Sequence, residues 1–126
     1  TATTNFCFIT DAGSFTPEMI KFIRRSRNLV IEANYDAAML EEGPYPRHLK
    51  ERIKAPTGHA SNADTARILQ ENVAATTENI WLCHLSEENN HPELARKTIA
   101  QALDLADCKA QLHVLRRRIP SGPFEL

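Results

Sequence analysis

Four short apolar runs divide the chain, and each of the first three is followed by a segment with helical spacing. NFCFITD predicts a first strand over residues 5–10, closed by Asp11 and a turn at Ala12-Gly13-Ser14. Thr16, Pro17 and Glu18 then mark a helix start: a hydroxyl cap, a proline at the first helical position and an acid in the first turn. Met19, Ile20 and Ile23 give that helix one apolar face. In NLVIEAN, the unbroken Leu29-Val30-Ile31 fits a strand in a sheet covered on both faces. DAAMLEEGPYPRHLKERI reads as a short helix, a Gly-Pro-Tyr-Pro break and a second helix. Ser61 and Asp64 form a capping box for a helix from Asn62 to Val73, with Ala66, Leu69 and Val73 facing inward. NIWLCHL is the third strand. The helix after it begins near Pro92 and carries Ala95, Ile99, Ala102 and Ala106 on one face. QLHVLR is the last strand, and residues 116–126 read as a tail. Strands alternating with helices predict an α/β layered fold.

Composition narrows the setting. At 126 residues the chain is one domain with a modest core. Fifteen basic residues stand against sixteen acidic ones, so bulk charge names no polyanionic partner. Three cysteines without metal-like spacing fit a reducing cytoplasm better than a disulfide framework. No apolar run approaches the ~20 residues of a membrane span, so a cytoplasmic protein with no membrane partner is expected. The chain opens without Met, directly in an apolar run, which reads as a stretch cut from a longer protein.

Within this frame, Asp11, Glu32 and His84 each fall at or near the C-terminal end of an apolar strand, and His59 precedes a helix. Ligands of open α/β sheets gather at the carboxyl ends of strands. Singly, each residue has a plain structural role: Asp11 in a turn, Glu32 as a strand residue satisfied by backbone, His59 in a loop, His84 hydrogen-bonded at a strand end. Together, two carboxylates and two histidines are a set that moves protons or holds metal.

The ordered motifs TDAG, IEANYD, GPYPRHLKERI, GHASNADTA and LCHLSEENN carry a resemblance. They resemble the C-terminal half of a metallo-β-lactamase-fold hydrolase, specifically the WalJ/YycJ (VicX) group of bacterial cytosolic hydrolases, regarded as DNA exonucleases or phosphodiesterases. The resemblance implies half of a four-layer αββα sandwich: a single partial domain over residues 1–126, with one mixed sheet and flanking helices. It also implies a dinuclear site for divalent metals, zinc or manganese, acting on DNA or another phosphodiester. Carried over residue by residue, Asp11 is the carboxylate that bridges two metals and His84 the last metal-binding histidine. Glu32 orients His59, and His59 donates a proton to the departing oxygen. Ser61 and Asn62, before and at the start of a helix, and Asn89 and Asn90, after His84, are weaker candidates for substrate contact.

The sequence also departs from that family. The family's His-x-His-x-Asp-His signature is missing, and no two of the five histidines are separated by a single residue. Asp11 and His84 alone fall short of the three or four protein ligands of established zinc sites. The expectation is therefore that this chain alone binds metal weakly and is inactive, its N-terminal half lying outside the sequence. An apolar sheet face left exposed by that absence would favour a homodimer. Two alternatives stand beside this reading: a non-catalytic structural or interaction half-domain, and a thioester or lactam hydrolase of the same fold. The basic helix around His48 offers phosphate contacts or simply a solvated face.

Overall fold

The computed structural model describes residues 6–9 and 13–115, with residues 6–8 by backbone only. The expected strand end at Asp11 and the expected tail at 116–126 lie outside the described residues. The elements run β1 (Phe6–Ile9), α1 (Pro17–Arg25), β2 (Asn28–Glu32), α2 (Ala37–Glu42), α3 (Arg47–Lys54), α4 (Asn62–Asn72), β3 (Asn79–Cys83), α5 (Pro92–Leu105) and β4 (Gln111–Val114). Local chemistry accounts for their starts. Thr16 caps α1 by accepting from the Met19 amide at 3.1 Å, with Pro17 first in the helix. Ser61 caps α4 through the Asp64 amide at 3.0 Å. His91 enters α5 as its cap, its ring Nδ1 accepting from the Glu93 amide at 3.1 Å.

The strands form one sheet in the order β1-β2-β3-β4, and all three pairings are parallel. Among the described residues, the expected mixed sheet is corrected to a parallel one. Each neighbouring strand is reached through at least one helix, and such crossovers return the chain in the same direction.

The two faces of the sheet differ. Leu29, Ile31, Ile80 and Leu82 pack with Ile23 of α1, Ile68 and Leu69 of α4, and Ala95, Ile99 and Leu103 of α5 in one buried cluster. All three long helices therefore cover one face. Each fully buried Leu or Ile in this cluster contributes about 1.5–3 kcal/mol. On α4 the buried stripe is Thr65, Ile68, Leu69 and Asn72, with Ala66 and Val73 at its margin, a rotation from the expected stripe. The alternate strand residues, Val30, Trp81 and Cys83, form a second cluster with Leu115 and no helical residue. Val30, Trp81 and Cys83 are only 4–8% exposed, so the expected open apolar face is corrected for the described residues. Trp81 stacks on His113 at 5.1 Å and 18°, which covers part of that face.

Burial lowers the pKa of His113 below its ordinary value of 6.5, with the charge of Arg96 acting in the same direction. Between that lowered value and 6.5 the unfolded chain binds more protons than the folded one. Stability is therefore lost as pH falls from 6.5 through this window. Denaturant midpoints at pH 5 and pH 7.5 should show this acid loss, and His113→Phe should reduce it. An unchanged loss in the variant would assign it to other groups.

Candidate functional site

The parallel register aligns Glu32 with Cys83, so the C-terminal ends of β2 and β3 lie side by side. Glu32 alternates with Ile31 onto the face of Val30 and Trp81, yet its exposure is 0%. A carboxylate buried this far needs partners for its charge. Two imidazoles meet the same oxygen: His59 Nδ1 lies 2.7 Å from Glu32 Oε2, and His84 Nδ1 lies 3.4 Å from it. The other oxygen, Oε1, is 3.5 Å from the Ala60 amide. The Glu32 carbonyl accepts from the buried Thr65 hydroxyl at 2.7 Å, tying β2 to α4.

An ionised carboxylate only accepts, so His59 Nδ1 carries the proton in this contact. Nε2 then holds the lone pair when the ring is neutral and a second N–H when it is charged. His59 itself is fixed by its amide, which donates to the Ile53 carbonyl at 2.9 Å. His84 follows the last residue of β3 with φ 56°, in the left-handed region that a non-glycine residue occupies only when its surroundings hold it there. Its ring is about half exposed, as is that of His59 to a lesser degree.

The loop carrying His59 is set by close backbone approach. A Cβ on Gly13 would lie 2.6 Å from the Pro56 carbonyl oxygen, 2.8 Å from the Gly58 nitrogen and closer still to the Ala55 oxygen. Only glycine lets the 13–14 turn pack flush on the 55–58 loop. Ser14 Oγ also reaches the Pro56 oxygen at 3.5 Å.

The structure brings together Glu32, His59 and His84 from the expected set. Asp11 lies outside the described residues. Ser61 spends its hydroxyl on the α4 cap. Asn62 and Asn90, 2% and 4% exposed, are bonded to each other by two reciprocal amide contacts of 2.9 Å, and Asn90 also donates to the Ala33 carbonyl at 3.0 Å. Their amides join the segment after His59 to the segment after His84 and present nothing to solvent. Asn89 is equally buried, its backbone carbonyl accepting from the Asp36 amide. Sequence reading missed Asn34, two residues past Glu32, whose side-chain amide donates to the His84 carbonyl at 2.7 Å. It also missed Thr65 and the glycine contact.

Around this centre, α3 is less available than its charge implies. Glu41 accepts from Arg47 and Lys54 at 2.8 Å each, and these two bonds hold its carboxyl down at about 2. Lys50 is buried and donates to the Glu41 carbonyl at 2.6 Å. Tyr35 is also buried; desolvation raises its pKa, as does the charge of Asp64. Among the described residues, no group of three or more His, Cys, Asp or Glu side chains is arranged to hold a metal ion. The described donors alone therefore do not fit a metal centre.

No protein-family model matches the chain. Over 103 residues it is 38% identical to an exodeoxyribonuclease WalJ of Streptococcus pneumoniae, covering 82% of this chain and 38% of that protein. This chain is a WalJ/YycJ homologue. An exodeoxyribonuclease YycJ of Bacillus anthracis is likewise 38% identical over 96 residues, 76% of this chain and 36% of that one. The chain thus spans well under half the length of the WalJ and YycJ relatives it matches. The fold of this WalJ/YycJ-like stretch aligns with the crystal structure of a diphosphatase from the PhnP family at a TM-score of 0.50. That alignment covers 87% of this chain and 32% of the other, at 14% identity, so the likeness is one of fold to part of that structure. Among the described residues, no helix is long and apolar enough to cross a membrane.

Two outcomes follow from this geometry. Gly13→Ala should lower folding stability by about 2 kcal/mol through overpacking, read as a shifted denaturant midpoint; a midpoint equal to wild type would refute the close approach. Glu32→Gln should convert the His59 ring from one Nδ1–H tautomer to a mixture, seen in the ring 15N shifts. A ring that keeps its tautomer in the variant would show that something other than Glu32 sets it.

Proposed function

We propose that this stretch supplies the proton-transfer part of a metal-dependent phosphodiesterase or nuclease, with Glu32 and His59 as its catalytic pair. The observation that carries the reading is the 2.7 Å contact between His59 Nδ1 and a fully buried carboxylate, at the carboxyl end of a parallel sheet. DNA is the favoured substrate because the matched relatives are named exodeoxyribonucleases.

The chemistry follows from the ring's two nitrogens. When water attacks phosphorus, the bond to the departing sugar oxygen breaks and its electron pair goes to that oxygen. An alkoxide leaves poorly, so a positioned acid speeds the step by about 10²–10⁴-fold. His59 gives its Nε2 proton to the oxygen and becomes neutral. The Nδ1–H contact to Glu32 persists throughout, so the ring is held before and after transfer. In the whole protein His84 and Asp11 would be ligands of a divalent centre, two zinc or manganese ions. On this reading the chain alone is inactive.

The test uses the full-length protein. His59→Ala should slow DNA hydrolysis by about 10²–10⁴-fold. It should affect an aryl phosphodiester such as bis(p-nitrophenyl) phosphate far less, because a phenolate departs without a proton. Bound metal should be unchanged. Equal losses on both substrates would remove the acid role, and loss of metal would make His59 a ligand instead.

A further inference from the structure

We infer that Asn34 is a positioning residue that holds His84 in its left-handed backbone conformation and so fixes the spacing of the two histidines across Glu32. The inference rests on the reading of Glu32, His59 and His84 as the working site.

Asn34 touches both histidine loops. Its amide donates to the carbonyl of Ala60, the residue after His59, at 2.9 Å. Its carbonyl accepts from the Ser86 amide at 2.8 Å. Its side-chain Nδ2 donates to the His84 carbonyl at 2.7 Å. A carbonyl oxygen can only accept, so the side chain's NH2 must face His84 and its orientation is not ambiguous. The first two bonds are main chain and would survive substitution. The third depends on the side chain and ends on the residue at φ 56°.

That third bond has a specific consequence. A histidine in the left-handed region is disfavoured unless its surroundings determine it. Turning the His84 peptide so that its carbonyl meets Asn34 also sets where the His84 ring leaves the backbone. In this conformation Nδ1 comes 3.4 Å from Glu32 Oε2, on the oxygen that His59 already occupies at 2.7 Å. Were the His84 peptide to relax to negative φ, its ring would swing away from Glu32 while His59 kept its contact. Asn34 thus acts through His84 and not through His59.

Asn34→Asp tests this, because a carboxylate of nearly the same shape cannot donate; Asn34→Ala serves as the second variant. Melting curves first confirm folding. The three-bond HN–Hα coupling of His84, or a crystal structure, then reports its φ. The expected result is that φ at His84 leaves the left-handed region in both variants while the His59–Glu32 contact stays. In the full-length protein, DNA hydrolysis should fall by about 10–100-fold, the range for a partner that orients a functional histidine. The loss should vanish in a His84→Ala background and persist in a His59→Ala background. A His84 φ that stays near its original value in both folded variants would overturn the inference, as would an Asn34→Asp loss that persists in His84→Ala. If wild-type protein hydrolyses no phosphodiester, the proposed function falls, and the His84 coupling still decides the role of Asn34.

Discussion

A single carboxylate with no exposure to water organises the upper edge of this sheet. Glu32 ends a strand whose neighbours are Leu, Val and Ile, and its charge has left solvent entirely. Removing an ion from water costs several kcal/mol even after relaxation, and only close, well-directed partners offset it. The His59 imidazole at 2.7 Å is such a partner, with His84 Nδ1 at 3.4 Å from the same oxygen and the Ala60 amide 3.5 Å from the other. The loops that bring the rings there are consequently constrained: Gly13 against residues 55–58, the Thr65 hydroxyl on the Glu32 carbonyl, and the paired amides of Asn62 and Asn90.

The arrangement also divides labour between the two histidines. His59 is close to Glu32 and takes its tautomer from it, which frees Nε2 for proton transfer. His84 is farther away and more exposed, and it depends on an unusual backbone angle to approach at all. A shared carboxylate couples the rings, since charge on one changes the field felt by the other. Both rings stand at the carboxyl ends of parallel strands, while Asn28 and Asn79 bond to each other at the opposite end, with the His113 ring reaching Asn79 from within β4.

Much of this was legible in the sequence where local rules decide. Thr16-Pro17 and Ser61 marked their helices because capping depends on a few adjacent atoms, and the apolar runs marked the strands because burial demands them. Glu32, His59 and His84 stood out as polar groups at strand and helix ends. What escaped was set by distant contacts. Parallel pairing depends on crossovers that a strand does not encode by itself. Asn62 and Asn90 read as candidates for substrate contact because nothing local reveals a reciprocal bonding that joins positions 28 residues apart. Asn34 gave no signal beyond its nearness to Glu32, since its partner is 50 residues away. The left-handed angle of His84 is likewise imposed from outside its own strand.

The central claim is that Glu32 Oε2 receives both histidines through Nδ1. Neutron diffraction from crystals of the full-length protein addresses it most directly, because it places the protons. Deuterium is expected on Nδ1 of His59, aimed at Glu32 Oε2, with Nδ1 of His84 facing the same oxygen. A Glu32 side chain whose oxygens are met by water, or a His59 ring with bare Nδ1 toward the carboxylate, would contradict it.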